Sequence, residues 1–156
     1  MSNPRKEKLR VGLVGAGYVS KHHLRALKKL DYVEVAAICD SNLDLAARAA
    51  KESGIPGVYQ NLDEMAQEHL DVVHILTPPA SHCALTVQAL RGGCHVLVEK
   101  PMAPVRAHQP RAYPRARAGN TYNADGVDLS RDACSINEPY PKIYGKIPSF
   151  RVSHLA

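Results

Sequence analysis

LRVGLVGAGYVS, residues 9 to 20, decides how the rest of the chain is read. Leu9 to Val14 is a short apolar run, interrupted only by Arg10 and Gly12, and it empties into a glycine-rich turn. A buried parallel strand enters a helix in this way. Beyond the turn, Leu24, Leu27 and Leu30 recur at threes from Ser20 to Leu30, with Arg25, Lys28 and Lys29 between them, which predicts an amphipathic helix. Lys21, His22 and His23 read as its exposed first turn, with positive charge available to a phosphate as the alternative.

Working outward, the alternation repeats. VEVAAIC, residues 33 to 39, predicts a second strand ending at Asp40. Ser41 or Asn42 can cap a helix whose face is Leu43, Ala46, Ala47 and Ala50, and Gly54 closes it. Val58 and Tyr59 suggest a short third strand, Asn61 caps a brief helix through His69, and DVVHILT, residues 71 to 77, forms a fourth strand. Pro78 and Pro79 break the chain, Ala84 to Leu90 is helical up to Gly92 and Gly93, and HVLVEK, residues 95 to 100, is a fifth strand. Short strands alternating with helices specify an α/β fold, a doubly wound parallel sheet of Rossmann type over residues 1–104.

Within the turn, Gly15, Gly17 and Ser20 fill the three positions of a G-x-G-x-x-G pattern, with Tyr18 and Val19 between the last two. The first glycine allows the tight turn, the second lets backbone approach a pyrophosphate, and the third packs helix on strand, where the small Ser20 substitutes for glycine. Asp40 lies 20 residues after Ser20 at the end of the next strand, placed to accept from the adenosine ribose hydroxyls and to repel a 2′-phosphate. NAD is therefore expected rather than NADP. A helix cap or solvated turn is the structural alternative for Asp40.

Other function classes fit less well. The net charge is +5, but residues 1–104 hold 12 Lys/Arg against 11 Asp/Glu, and the excess sits in residues 105–156, with 8 against 4. With no basic stripe interleaved with aromatics, no nucleic-acid partner is expected. The absence of a long apolar run argues against a membrane partner and that of an apolar leader for a cytoplasmic protein. Cys39, Cys83, Cys94 and Cys134 are scattered without a C-x-x-C pair, so reduced structural thiols and no metal site are expected.

Further along, Thr77 to His82 reads T-P-P-x-x-H, then Ala89 to Gly93 reads A-L-x-x-G, and His95 to Pro101 reads H-V-L-x-E-K-P. Together with the glycine turn and AAICD, residues 36 to 40, these motifs resemble the N-terminal half of the glucose-fructose oxidoreductase / inositol dehydrogenase / MocA (Gfo/Idh/MocA) family over residues 9 to about 103. The resemblance implies hydride transfer between a nicotinamide and a sugar, cyclitol or related polyol. It implies Lys100 as the catalytic lysine, which polarises the substrate oxygen or helps deprotonate it, with a surface lysine at a strand end as the alternative. Thr77 and Pro78 would lie against the cofactor, Glu99 would orient the loop or approach the nicotinamide ribose, and His82 is either a ligand contact or a satisfied helix-start histidine.

From residue 105 onward the order is lost. PVRAHQPRAYPRARAGN, residues 104 to 120, has three prolines and almost no aliphatic residue, so residues 105–156 are expected to be irregular, a degraded or shortened remnant in place of the family's second domain. GKIPSFRVSH, residues 145 to 154, is similar to the segment with which family members enter that domain. A chain truncated in this way need not be active alone. A non-catalytic NAD-binding or regulatory module is the alternative reading, and apolar surface left without the second domain leaves homo-oligomer formation open.

Overall fold

The computed structural model describes residues 8–100 and the backbone of residues 121–123. Cys134, Pro101 and the rest of residues 105–156 lie outside the described residues. The described chain runs β1 (Leu9–Val14), α1 (Tyr18–Leu27), β2 (Val33–Cys39), α2 (Leu43–Ser53), β3 (Gly57–Tyr59) and α3 (Leu62–Met65). A 3-10 turn (Ala66–Glu68), β4 (Val72–Ile75), α4 (Pro79–Arg91), β5 (His95–Val98) and β6 (Thr121–Asn123) follow. The sheet order is β3-β2-β1-β4-β5-β6 and every pairing is parallel. This is the doubly wound order of a Rossmann domain, which reverses direction between β1 and β4.

Alternate residues of each strand go to opposite helical layers. Leu9, Val11, Leu13, Ile38 and Val72 pack with Leu24 and Leu27 of α1 and Ala46 and Ala50 of α2. Ala37, Cys39, Val73, Ile75 and Val96 pack on the other face with Met65 of α3 and Leu90 of α4. Gly12 belongs to that second face, where a Cβ would stand 2.5 Å from Leu70 Cδ1 and 3.0 Å from Met65 Cε. The glycine lets the α3 segment lie directly on β1.

Several boundaries differ from the sequence expectation. The helix after the glycine turn starts at Tyr18 and stops at Leu27, because Lys28 closes the last turn onto Leu24 and Leu30 folds back onto the Leu27 carbonyl. In α2 the cap is Asn42, whose side chain accepts from the Leu45 N–H, and Gly54 ends the helix at φ 72°. Its inner face is Ala46 and Ala50 flanked by Leu45 and Ala49, whereas Leu43 and Ala47 are exposed. At 100° per residue the stripe lies one step further round than expected. Pro78 and Pro79 start a helix rather than break the chain, since Pro79 occupies the first turn, where a missing N–H loses no bond. Thr121–Asn123 adds a strand, paired with Val96–Val98, inside a segment whose sequence shows no strand pattern.

Candidate dinucleotide site

Parallel strands all point their carboxyl ends one way, so the turns that leave β1, β2, β3 and β4 gather along a single edge. There they enclose a cleft of about 510 Å³ lined by Gly15 and Gly17 after β1, Asp40 and Ser41 after β2, Gln60 and Asn61 after β3, and Thr77 and Pro78 after β4. Open α/β sheets bind ligands in this position, beside the strand at which the order reverses.

Two glycines of the turn behave differently. Gly15 has φ +101°, and a Cβ there would meet the Leu76 carbonyl carbon and oxygen at 3.0 Å. Its N–H donates to the Cys39 carbonyl at 2.8 Å, which fixes the turn between β2 and β4. Gly17 instead has an extended backbone, φ −73° and ψ −164°, as the N-cap of α1. Among the described residues, a Cβ at Gly17 would meet no atom within 4 Å apart from those of its own chain neighbours. Bare backbone faces open space at the start of a helix whose first turn carries no acidic residue. Free first-turn amides and the positive end of the helix dipole suit an anion such as a pyrophosphate, and the residues present fit one.

Asp40 is held as well as exposed to the cleft. One carboxylate oxygen accepts from the Ala16 N–H at 2.8 Å and the other from the Asn42 N–H at 2.9 Å, tying the glycine turn to the start of α2. Each oxygen keeps a further lone pair for a ribose hydroxyl. Ser20 is buried in α1, and its hydroxyl donates to the Gly17 carbonyl at 2.6 Å, so a polar group replaces glycine without being left unpaired. Tyr18 and Val19 are exposed beside it, with the Tyr18 ring edge-on to His22 at 4.9 Å.

At the end of β4, the Thr77 hydroxyl accepts from Ser81 at 2.7 Å, and its carbonyl meets His82 Nε2 at 2.6 Å. His82 is fully buried and does not line the cleft, which favours the satisfied helix-start histidine over the ligand contact. Glu99 and Lys100 follow β5 on the same edge, and the Glu99 N–H donates to the Ile75 carbonyl at 3.0 Å. Of the sequence-predicted residues, Gly15, Gly17, Asp40, Thr77 and Pro78 line the cleft directly, while Tyr18, Val19, Ser20, Glu99 and Lys100 do not. Sequence reasoning missed Ser41, Gln60 and Asn61 as lining residues. Asn61 was legible only as a cap, a role it also fills by accepting from the Glu64 N–H at 2.9 Å. The position of β3 beside β2 is what brings these residues in.

His23 is the main correction. It is 4% exposed rather than part of an exposed first turn, because Ser20, His23, Leu24 and Leu27 form the buried stripe of α1. That spacing of three, four and seven from Ser20 was a signal available in the sequence. His23 Nδ1 lies 3.0 Å from Nδ1 of His74 in β4, and His23 Nε2 lies 2.9 Å from Glu99 Oε1. Burial lowers the pKa of His23 despite Glu99, and lowers that of the fully buried His74 further, with His23 adding to the effect. His95 is lowered too, again by burial.

These histidines make stability pH-dependent. Each titrates near 6.5 when unfolded and lower when folded. The unfolded chain therefore binds more protons below that pH; stability is complete above it and falls as pH drops through 6.5 toward the lowered folded values. The slope is up to about 1.4 kcal/mol per pH unit for each histidine. Urea midpoints at about pH 7.5 and about pH 5.5 should differ accordingly, with the lower midpoint in acid. An unchanged or raised midpoint contradicts neutral burial.

The thiols of Cys39 and Cys94 are pushed up by burial to about 12 and about 11, so neither is a ready thiolate. Among the described residues no cluster of three His, Cys, Asp or Glu could hold a metal, and no helix is long and apolar enough to cross a membrane.

Residues 9–117 match the family model of the Gfo/Idh/MocA proteins, described as an oxidoreductase family with an NAD-binding Rossmann fold. The chain is similar to a D-apiose dehydrogenase of Paraburkholderia graminis, 34% identical over 92 residues that make up 58% of this chain and 24% of the relative. It is similar to an inositol 2-dehydrogenase of Saccharopolyspora erythraea, 37% identical over 108 residues, 67% of this chain and 30% of the relative. Among solved structures it resembles the WlbA dehydrogenase from Bordetella pertussis in complex with NADH and UDP-GlcNAcA, with a TM-score of 0.60 and 34% identity over 62% of this chain and 30% of that one. The chain thus spans less than a third of the length of each of these relatives.

Proposed function

Because this chain belongs to the Gfo/Idh/MocA oxidoreductase family and carries its NAD-binding Rossmann fold, we propose that it provides the dinucleotide half of an oxidoreductase acting on a sugar, cyclitol or related polyol. The observation that carries the reading is the open space against Gly17 at the start of α1, in a cleft that Asp40 borders from the next strand. When bound, the nicotinamide accepts or donates the hydride. Gly17 and the first-turn amides of Tyr18, Val19 and Ser20 hold the pyrophosphate, with Gly15 setting the turn. Asp40 accepts from the adenosine ribose hydroxyls. Thr77 and Pro78 support the cofactor from the end of β4, and Glu99 orients the turn that follows β5.

Lys100 is the catalytic residue in this reading. An ammonium beside the reacting oxygen stabilises the negative charge that develops on it and helps move its proton. The substrate must be held within reaction distance for that to matter, so positioning by the rest of the site is a large share of the rate. The substrate class is supported by relatives named for D-apiose and inositol.

Titration of the full chain with NAD, NADH and NADP, followed by a panel of sugars and polyols, tests the reading. Tight NADH binding, weak NADP binding and turnover of a polyol are expected; no dinucleotide binding at all overturns it. Asp40→Ala should narrow the NAD over NADP preference by about tenfold, through loss of the ribose acceptor and of the charge that repels a 2′-phosphate. A wild-type chain that already prefers NADP contradicts the role given to Asp40.

A further inference from the structure

The glutamate and lysine after β5 are coupled to the interior by a chain of hydrogen bonds that the cofactor reading does not use. Glu99 is tethered at three points. Its N–H donates to Ile75 O at 3.0 Å, Oε1 faces His23 Nε2 at 2.9 Å, and Oε2 accepts the Lys100 N–H at 3.2 Å. Behind it, His23 Nδ1 meets His74 Nδ1 at 3.0 Å, on rings that lie edge-on with centroids 5.1 Å apart. An ionised carboxylate can only accept, so the neutral His23 donates from Nε2 and its Nδ1 accepts, which makes His74 the donor at its own Nδ1. The direction of every proton in the chain follows from the one charged end.

We propose that His23, with its tautomer fixed by His74, is a positioning residue that acts through Glu99 to set where Lys100 begins; as a role in catalysis this rests on Lys100 being the catalytic lysine. The physical reason is local. The Glu99 side chain is 24% exposed where it accepts from His23, so water competes for the carboxylate. A buried donor on a rigid helix holds it inward, where its second oxygen can fix the backbone of Lys100. Without that donor the carboxylate turns to solvent and releases the Lys100 amide. A displacement of about 1 Å in a reacting group can lower turnover by about a hundredfold.

Side-chain length separates this role from simple core packing. Glutamine at position 23 can place an amide N–H where His Nε2 sits and still donate to Glu99, whereas asparagine reaches only the Nδ1 position. In the full chain, His23→Gln should retain the wild-type amide shift and exchange rate of Lys100, read by NMR. His23→Asn and Glu99→Gln should shift that amide and speed its exchange, with NADH affinity changed less than about threefold. Nitrogen-15 histidine spectra of the wild type should show His23 protonated at Nε2 and His74 at Nδ1. With a substrate from the polyol panel, turnover should fall about a hundredfold in His23→Asn and recover largely in His23→Gln. A Lys100 amide indifferent to all three variants, or a His23 protonated at Nδ1 alone, overturns the proposal. The amide and tautomer readings need no substrate, so a chain inactive on every polyol would count against the enzymatic reading while these measurements still decide the positioning role.

Discussion

Replacing Gly17 by valine is expected to lower NADH affinity by at least about a hundredfold, or about 2.7 kcal/mol, while the fold survives. The two halves of that result have separate causes. Gly17 sits at φ −73° and ψ −164°, extended backbone that valine adopts without strain, and among the described residues its Cβ would touch nothing within 4 Å beyond its own chain neighbours. None of the described residues resists the new side chain, and the helix gives up no capping bond, since none is made by a side chain there. Stability should fall by only about 1 kcal/mol, the cost of an aliphatic residue in place of glycine at an N-cap. In the proposed function that space is where the pyrophosphate approaches the first-turn amides, and the valine methyls would fill it. Calorimetric titration with NADH and a thermal melt, run on the same preparation, check both halves. Unchanged affinity would place the pyrophosphate elsewhere.

Two residues earlier the outcome reverses. Gly15→Ala is expected to destabilise the domain by about 2 to 4 kcal/mol and to weaken NADH binding only as a consequence. At φ +101° an L side chain is strained, and the Cβ would lie 3.0 Å from backbone atoms of Leu76, which cannot swing aside as a side-chain tip can. Relief requires β1 and the end of β4 to part, which strains the Gly15 bond to Cys39 and the Leu76 bond to Val14, both 2.8 Å. For a domain of this size the melting temperature should drop by about 10 °C or more. A melt within about 2 °C of wild type would show that the turn relaxes more freely than its contacts imply. Together the pair would separate a glycine that the fold requires from one that the proposed ligand requires, a distinction the motif alone does not make.

Much of the fold was legible because its determinants are local. β2 runs from Val33 to Cys39 as the VEVAAIC segment predicts, and Gly54 ends α2 in the left-handed region that only glycine enters freely. Other features depended on distant neighbours. Pro78 and Pro79 read as a break because proline stops helices from within, yet at a helix start the same residue is tolerated. Thr121–Asn123 carries little strand signal of its own, and its strand exists through pairing with β5. A three-residue edge strand takes its conformation from its partner more than from its own propensity.

The sequence by itself determined the alternation of strands and helices, the glycine turn, and the acid and lysine at strand ends, since each depends on residues within a turn or two of one another. Only the tertiary structure decided what these residues face. Asp40 became both a ribose candidate and a tie to the Ala16 amide, Gln60 joined the cleft, and His23 moved from solvent to a buried contact with His74 and Glu99. His23 and His74 are 51 residues apart, and His23 and Glu99 are 76 apart. Such contacts arise because parallel strands bring the ends of distant segments to one edge, and no local pattern records which side chains meet there.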